Sequence, residues 1–564
     1  MPDARDVGIA DEIALMVGPM RSSCLLSALP LLALSACGPR DSGASHDPGV
    51  HVIGTVWELE QALAVAVEGD RILLEPGVYE GAFDVPSGIT VEGLDPTSPP
   101  TLRSSGALTM VVWTSATRRA TRLEHLIIAG RGGAVVGLGQ GELALRDVTV
   151  RVALGYGIAR DGGKLDLDSV HIEGAFASST QVANLTLPID ASSVASFGLV
   201  TASTALTARD VAIDGMAIAG AALVKSEVVW QGGRVEHGGG VGIDVEGGRA
   251  SFDSLVVRDI AIAKSPAAAS GTTATTAIAG GIAAVRGAQV FATRIVIEDV
   301  AGVGVFQDSG SGSYDGITVR RSSFAGLWAQ RAPAGLAATF VIGGSGSSFE
   351  DNAGAALCLW GQRDASIQGV SVERTQTRAL AGALADGLTG QPADGIQVIG
   401  GAGTLSLGDL RLSGSKRAHV LIDATATERF SAIALSGGVS IDETVPHMDV
   451  VGSQLFFTAG GHASGCGSTC RGLSVKLPEE ASSVALGADV SGKRFAADAP
   501  PGIAGAGGAA APVGLIGTNG LIGTNGLIGT NGLIGTNGLI GTNGLIGTNG
   551  LIGEAPKAAT ATGN

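Results

Sequence analysis

"ELALRDVTV" (residues 142–150) and "KLDLDSVHI" (164–172) are two writings of one pattern: apolar residues at every second position, a polar break, then a second short alternation. Period-two alternation over a few residues is the mark of a half-buried strand and does not fit a helix. The pattern returns in "TALTARDVAI" (204–213), "EVVWQGGRV" (227–235), "RASFDSLVV" (249–257), "AQVFATRIVI" (288–297) and "SGSYDGITV" (311–319). One residue of each unit falls in register, at Val148, Val170, Val211, Gly233, Leu255, Ile295 and Ile317, with intervals of 22, 41, 22, 22, 40 and 22. Looser members follow at Val370, Leu410 and Ile433. A unit of this size cannot bury its apolar face alone and must stack on its neighbours, so the chain reads as a solenoid.

Composition agrees. Of 564 residues 89 are glycine, only 4% are aromatic and 16% charged, which suits short strands and tight turns. A formal charge of -16 repels phosphate backbones, so no nucleic acid is expected as a partner.

"TVWELEQALAVAVEGDRILLEPGVYEGAFDVPSGITVEG", residues 55–93, opens the repeats. Leu59, Ala62, Leu63 and Ala66 fall on one helical face, Gly69-Asp70 turns, Ile72 to Leu74 starts the stack and Pro76-Gly77 makes a corner. The stretch resembles the N-terminal cap and first coil of right-handed parallel β-helix proteins of the pectin-lyase-like class. The resemblance implies an all-β, right-handed parallel β-helix solenoid with an N-terminal capping helix and a low-complexity C-terminal repeat tail. It says little about activity, because that architecture hosts lyases, hydrolases, adhesins and binding proteins.

From Met20 the chain reads "MRSSCLLSALPLLALSAC", a basic residue and an apolar run of secretory length ending at Leu34-Ser35-Ala36 before Cys37. This resembles a bacterial lipobox, which implies acylation of Cys37 and a cell-envelope location held by a lipid anchor; Gly38 after the cysteine is compatible with the outer membrane. The expected division is a signal peptide over 1–36 with Met20 the true start, a lipidated linker over 37–50, the β-helix over 51–465, a cap and linker over 466–513, hexapeptide repeats over 514–553 and a tail over 554–564. The repeats are six perfect copies of "LIGTNG" from Leu515 to Gly550, readable as a short hexapeptide helix or as a self-associating tail. Cys466 and Cys470 in "CGSTC" are spaced for a small disulfide, and Cys358 in "AALCLW" reads as a buried apolar residue.

The long intervals locate insertions. From the end of one strand to the next Gly-Ile corner the short units take eight residues, Val150 to Ile158 and Val235 to Ile243; the long ones run Ile172 to Leu199, Val257 to Ile282 and Val372 to Ile396. All three insertions therefore leave at one corner, where loops on a rigid scaffold could wall a groove. Beside that corner a row is expected of Arg151, Glu173, Asp214, Glu236, Arg258, Glu298, Arg320 and Glu373, followed by His237, Asp259, Asp299, Arg321 and Arg374. Most of it alternates in sign, as a stack-stabilising ladder would. Glu173, Asp214 and Glu236 break the alternation and are the candidate metal ligands, with Ca²⁺ the fitting ion. His237, Arg320 and Arg321 are the candidate catalytic groups, with Asp259 and Asp299 beside them. A further row, Arg146, Asp168 and Arg209, reads as structural.

Set against the enzymes of the resembled class, the motifs are thin. Pectate lyases carry R-x-P-x-x-R; "RAPAGL" (331–336) keeps Arg331 and Pro333 but has Leu336 in the last place. Polygalacturonase-like hydrolases use paired aspartates and G-H-G, and the chain has no Asp-Asp dipeptide and only "EHGGG" at 236–240. Trp230 and Tyr314 fall inward, and Trp57, Trp113, Trp328 and Trp360 read as core or cap residues. The sequence thus points to a surface binding, adhesion or structural module, with polysaccharide or a surface protein as partner, and to a polysaccharide lyase or glycoside hydrolase as the alternative.

Overall fold

The computed structural model describes residues 48–476 apart from 107, 154, 175–195, 218, 262–278, 331–338, 345, 378–392, 400–401, 416–417, 424–431, 437–439, 443–453, 458–462 and 465–473. Cys37, Cys466, Cys470, Arg331, the LIGTNG repeats and the text of the three insertions lie outside these residues. The described chain forms 43 strands and one helix, wound as a right-handed parallel β-helix.

Three ladders of parallel strands run along it. The first starts Val50–Ile53, Arg71–Leu74, Thr90–Gly93; the second Val78–Glu80, Thr101–Ser104, Ile127–Gly130; the third Phe83–Val85, Met110–Thr114, Gly133–Gly139. The third is a separate 15-stranded sheet. The other two join because Ala205–Asp214 and Glu227–Gly239 run unbroken through the corner between them. Strands are short because each corner needs a residue at positive φ, and the sequence supplies polar ones such as Asp147, Ser169, Ser254 and Arg294 between the first and second ladders. Asp, Asn and His tolerate that region better than branched residues do.

Inside, like stacks on like. Val150, Ile172, Ile213, Val235, Val257, Ile297, Val319, Phe349 and Val372 pair rung to rung down the second ladder and are all buried. Each such side chain contributes roughly 1.5–3 kcal/mol of burial, so every added coil brings its own share of core.

Four sequence expectations change. The stack begins with Val50–Ile53, which pairs with Arg71–Leu74 and lies before the helix, so Ile72 to Leu74 is the second rung. A coil escaped the repeat: Thr339–Gly343 and Ser347–Glu350 form full rungs, hidden because Ser347 holds the position that is apolar in its neighbours. Ile433 belongs to the first ladder, opposite Leu405, and not to the row of Leu410. The Gly-Ile pair is not a corner but lies inside the third-ladder strands, where Gly157, Gly198, Gly220, Gly242, Gly281, Gly304, Gly326 and Gly395 form a row interrupted by Ala356 between the last two. A Cβ on Gly242 would stand 2.5 Å from the Gly281 carbonyl oxygen and 2.6 Å from Val257 Cγ1. The row lets the core methyls of the second ladder rest directly on the backbone of the third.

The helix Val56–Val65 is capped as its sequence implies. Thr55 Oγ1 accepts from the Glu58 amide, and Glu58 Oε2 accepts from the Thr55 and Gly54 amides at 2.9 and 3.1 Å. Leu59, Ala62 and Leu63 are buried.

Candidate functional site

The corner between the second and third ladders carries the expected charged row. Arg151, Glu173, Asp214, Glu236, Arg258, Glu298 and Arg320 are partners on successive rungs, continued by Glu350, from the overlooked coil, and Glu373. The next position is the turn itself: His237, Asp259, Asp299, Arg321, Asp351 and Arg374 all have φ between 52° and 56°. The flanks of 175–195, 262–278 and 378–392 meet this same corner, between second-ladder and third-ladder strands.

Geometry gives each acid a basic partner. Arg151 Nε donates to Glu173 at 2.8 Å, and His171 lies 3.4 Å from the same carboxylate. His237 sits between two acids, Nδ1 3.0 Å from Asp214 and Nε2 3.6 Å from Asp259. Glu236 receives Arg234 on one oxygen and Arg258 on the other, each at 2.6 Å. Burial pushes its carboxyl up, and the hydrogen bonds from Arg258 and Arg234 more than offset this, so it ends below its ordinary value. Arg321 grips Asp299 with Nε at 2.6 Å and Nη2 at 2.7 Å and reaches Glu298 at 2.9 Å, while Arg320 holds Glu298 at 2.5 Å. The hydrogen bond to Asp299 leads the contacts that push Arg321 further up, so it stays a cation. In the row read as structural, Arg146, Asp168 and Arg209 are rung partners, and Arg209 reaches outside the row to Asp166 at 3.6 Å.

As a metal centre the corner fits poorly. Asp214, Glu236 and His237 each offer one ligand atom, all within 4.8 Å of one another, and Glu173 is not among them. Both oxygens of Glu236 already bond guanidinium groups, whereas Ca²⁺ draws on several uncommitted carboxylate oxygens. The candidate ligands Glu173, Asp214 and Glu236 do stack on consecutive rungs, but each has basic side chains of its own, Arg151, His237, and Arg234 with Arg258.

The third ladder presents a second arrangement that the repeat does not announce. Val200, Ala222, Asp244, Ala283, Phe306, Trp328, Cys358 and Gln397 are partners on successive rungs and alternate with core residues such as Ile243 and Val245, so they face away from the core. The row is nevertheless buried. Asp244 and Glu246, two residues apart, share that outward face at 0% and 1% exposure. Arg286 reaches Glu246 at 3.3 Å, and neither Asp244 oxygen accepts a hydrogen bond among the described residues. Burial, then the charge of Glu246, push the Asp244 carboxyl well above its ordinary value, with Arg286 opposing. Three to four rungs on, aromatic rings cluster: Phe324 to Trp328 at 5.6 Å and Trp328 to Trp360 at 6.1 Å between centroids. Trp328 Nε1 donates to Gln330 at 3.2 Å, and Cys358 is buried, its thiol donating to Gln397. Trp230 and Tyr314 are inward and buried, as expected, but Trp57 and Trp113 are exposed.

No family model and no curated relative matches the sequence. Solved structures similar to it include an alginate lyase from Paenibacillus sp. str. FPU-7 (14% identity, 53% of this chain and 95% of that one, TM-score 0.27). The A-module of a mannuronan C-5 epimerase from Azotobacter vinelandii is also similar (12%, 72% and 95%, TM-score 0.35), as is a pectate lyase (11%, 60% and 82%, TM-score 0.36).

Proposed function

We propose that the chain is a cell-envelope protein, held to the membrane by acyl chains on Cys37, whose β-helix binds a polysaccharide or a surface protein without cleaving it. The observation that carries this reading is the closure of the corner: His237, Arg320 and Arg321 are each committed to carboxylates. An arginine held protonated by two acids has no lone pair with which to remove a substrate proton. The row then acts as a spine that fixes the coils on a rod from which the three insertions emerge. Full-length protein should be retained on an immobilised polysaccharide or surface extract and release neither new reducing ends nor unsaturated sugars. Turnover with any retained glycan would overthrow the binding-only reading.

A second reading, a glycoside hydrolase, is favoured by one observation, the outward pair Asp244 and Glu246. Two carboxyl groups on one face, Asp244 pushed up by burial and by the charge of Glu246 and Glu246 3.3 Å from Arg286, are the residue types such chemistry draws on. Asp244→Asn separates the readings, since it would abolish turnover under the second and leave retention unchanged under the first. Calcium is tested by calorimetry. With both oxygens of Glu236 occupied the expected result is no stoichiometric heat, and binding lost in a Glu173→Gln, Asp214→Asn, Glu236→Gln variant would restore the metal centre.

A further inference from the structure

Exposed apolar side chains are not spread evenly along the rod. Of the eleven large ones among the described residues, seven lie between residues 50 and 94: Val50, Val52, Trp57, Val65, Val67, Val78 and Leu94. The first six belong to the first strand, the capping helix and its exit, and the first rung of the second ladder, which together make up the terminal layer of the solenoid. Trp57 is 69% and Val65 70% exposed, although both sit on a helix whose buried side is already filled by Leu59, Ala62 and Leu63. A cap needs one apolar face; this helix also shows apolar groups to solvent, with Ala64 seven residues after Trp57 on the same stripe.

The chain itself says what lies near that end. Cys37 precedes Pro48 by 11 residues, a tether of at most about 40 Å, and the described chain starts at this terminal layer. We propose that the capped N-terminal end is a lipid-docking surface, with Trp57 and Val65 seated in the headgroup layer of the membrane that holds the acyl chains of Cys37. The proposal rests on the lipid-anchor reading. Tryptophan favours the boundary between water and hydrocarbon, where its ring is buried and its N–H stays wet. The same end carries Glu58, Glu60, Glu68 and Glu75, so the surface suits zwitterionic and not anionic lipid. Docking by this end stands the rod off the membrane and leaves the insertion corner free along its side.

The test uses full-length protein made with its own N-terminus, with acylation of Cys37 read by mass spectrometry, in phosphatidylcholine vesicles with and without brominated acyl chains. Brominated lipid should quench a component of the tryptophan emission that is missing in Trp57→Phe and at least halved in Val65→Asp. Both substituted side chains are exposed, so the fold is retained. Equal quenching in wild type and Trp57→Phe on acylated protein overturns the docking surface and leaves the anchor standing. An unmodified Cys37 overturns the anchor, and the docking surface with it. Vesicle-free dimers dissolved by Val65→Asp, with no Trp57 quenching in vesicles, would assign the surface to a second copy of the chain.

Discussion

Gly242 stands where a single methyl group has nowhere to go. Its Cβ would press on the Gly281 carbonyl and on Val257 Cγ1, and the backbone oxygen cannot turn aside as a side chain can. Gly242→Ala should therefore cost about 1–3 kcal/mol, read as a lower denaturation midpoint at unchanged slope, and Val257→Ala in the same chain should recover only part of it, because the carbonyl clash stays. Two residues along the same strand, Asp244 has the opposite problem, a carboxyl at 0% exposure that accepts no hydrogen bond among the described residues. Its folded pKa is raised, so the folded state holds its proton more tightly than the unfolded chain does. The stability it contributes is complete below the unfolded carboxyl pKa and is lost as pH rises toward the folded value. Asp244→Asn should accordingly raise the melting temperature at pH 7 and leave it nearly unchanged at pH 3.5. The glycine was legible in the sequence as a recurring Gly-Ile pair, though misplaced at a corner, because period alone does not tell a strand interior from a turn. Asp244 and Glu246 were not legible at all: an outward residue of a repeat reads as solvated, and nothing in "VGIDVE" says that this face of the third ladder is buried.

At the scale of elements, the capping helix depends on its two reciprocal hydrogen bonds between Thr55 and Glu58 more than on its ten residues, too few to hold a helix in isolation. Thr55→Ala should cost about 1 kcal/mol and act locally. Amides of residues 56–65 should exchange faster with solvent while those of the coils beyond the first keep their protection; a uniform loss along the rod would mean that the cap nucleates the whole stack. The helix was readable because its apolar spacing changes from two to three and four. The strand before it was not, since "VHVI" is short and shows two of its valines to solvent. The coil over 339–350 was missed for a related reason: a serine in the diagnostic position and glycines around it erase the alternation on which the repeat is recognised.

Across the whole molecule, the charged corner is what makes coils unequal. The core rows would accept almost any register in steps of one coil, because Val, Ile and Leu recur on every rung; the ion pairs would not. Val303 and Ala325 are rung partners 22 residues apart, so removing residues 303–324 takes out one coil and preserves the inward pattern. It also brings Glu298 and Asp299, which lose Arg320 and Arg321, against Glu350 and Asp351. Like charges directly opposite on neighbouring strands are destabilising, and here two such pairs form as three ion pairs vanish. Glu298 has a folded pKa below its ordinary value in the intact chain, because the hydrogen bonds from Arg320 and Arg321 outweigh the opposing effect of burial. That contribution is present above the unfolded carboxyl pKa and fades as pH falls. The shortened chain should therefore fold, melt below the parent at pH 7, and close most of the gap at pH 4, where the stranded acids take up protons. Adding Glu350→Arg should recover stability at pH 7 and little at pH 4. If the shortened chain melts as the parent does at both pH values, the ladder is decoration, and coil register is set by the glycine row and the core alone.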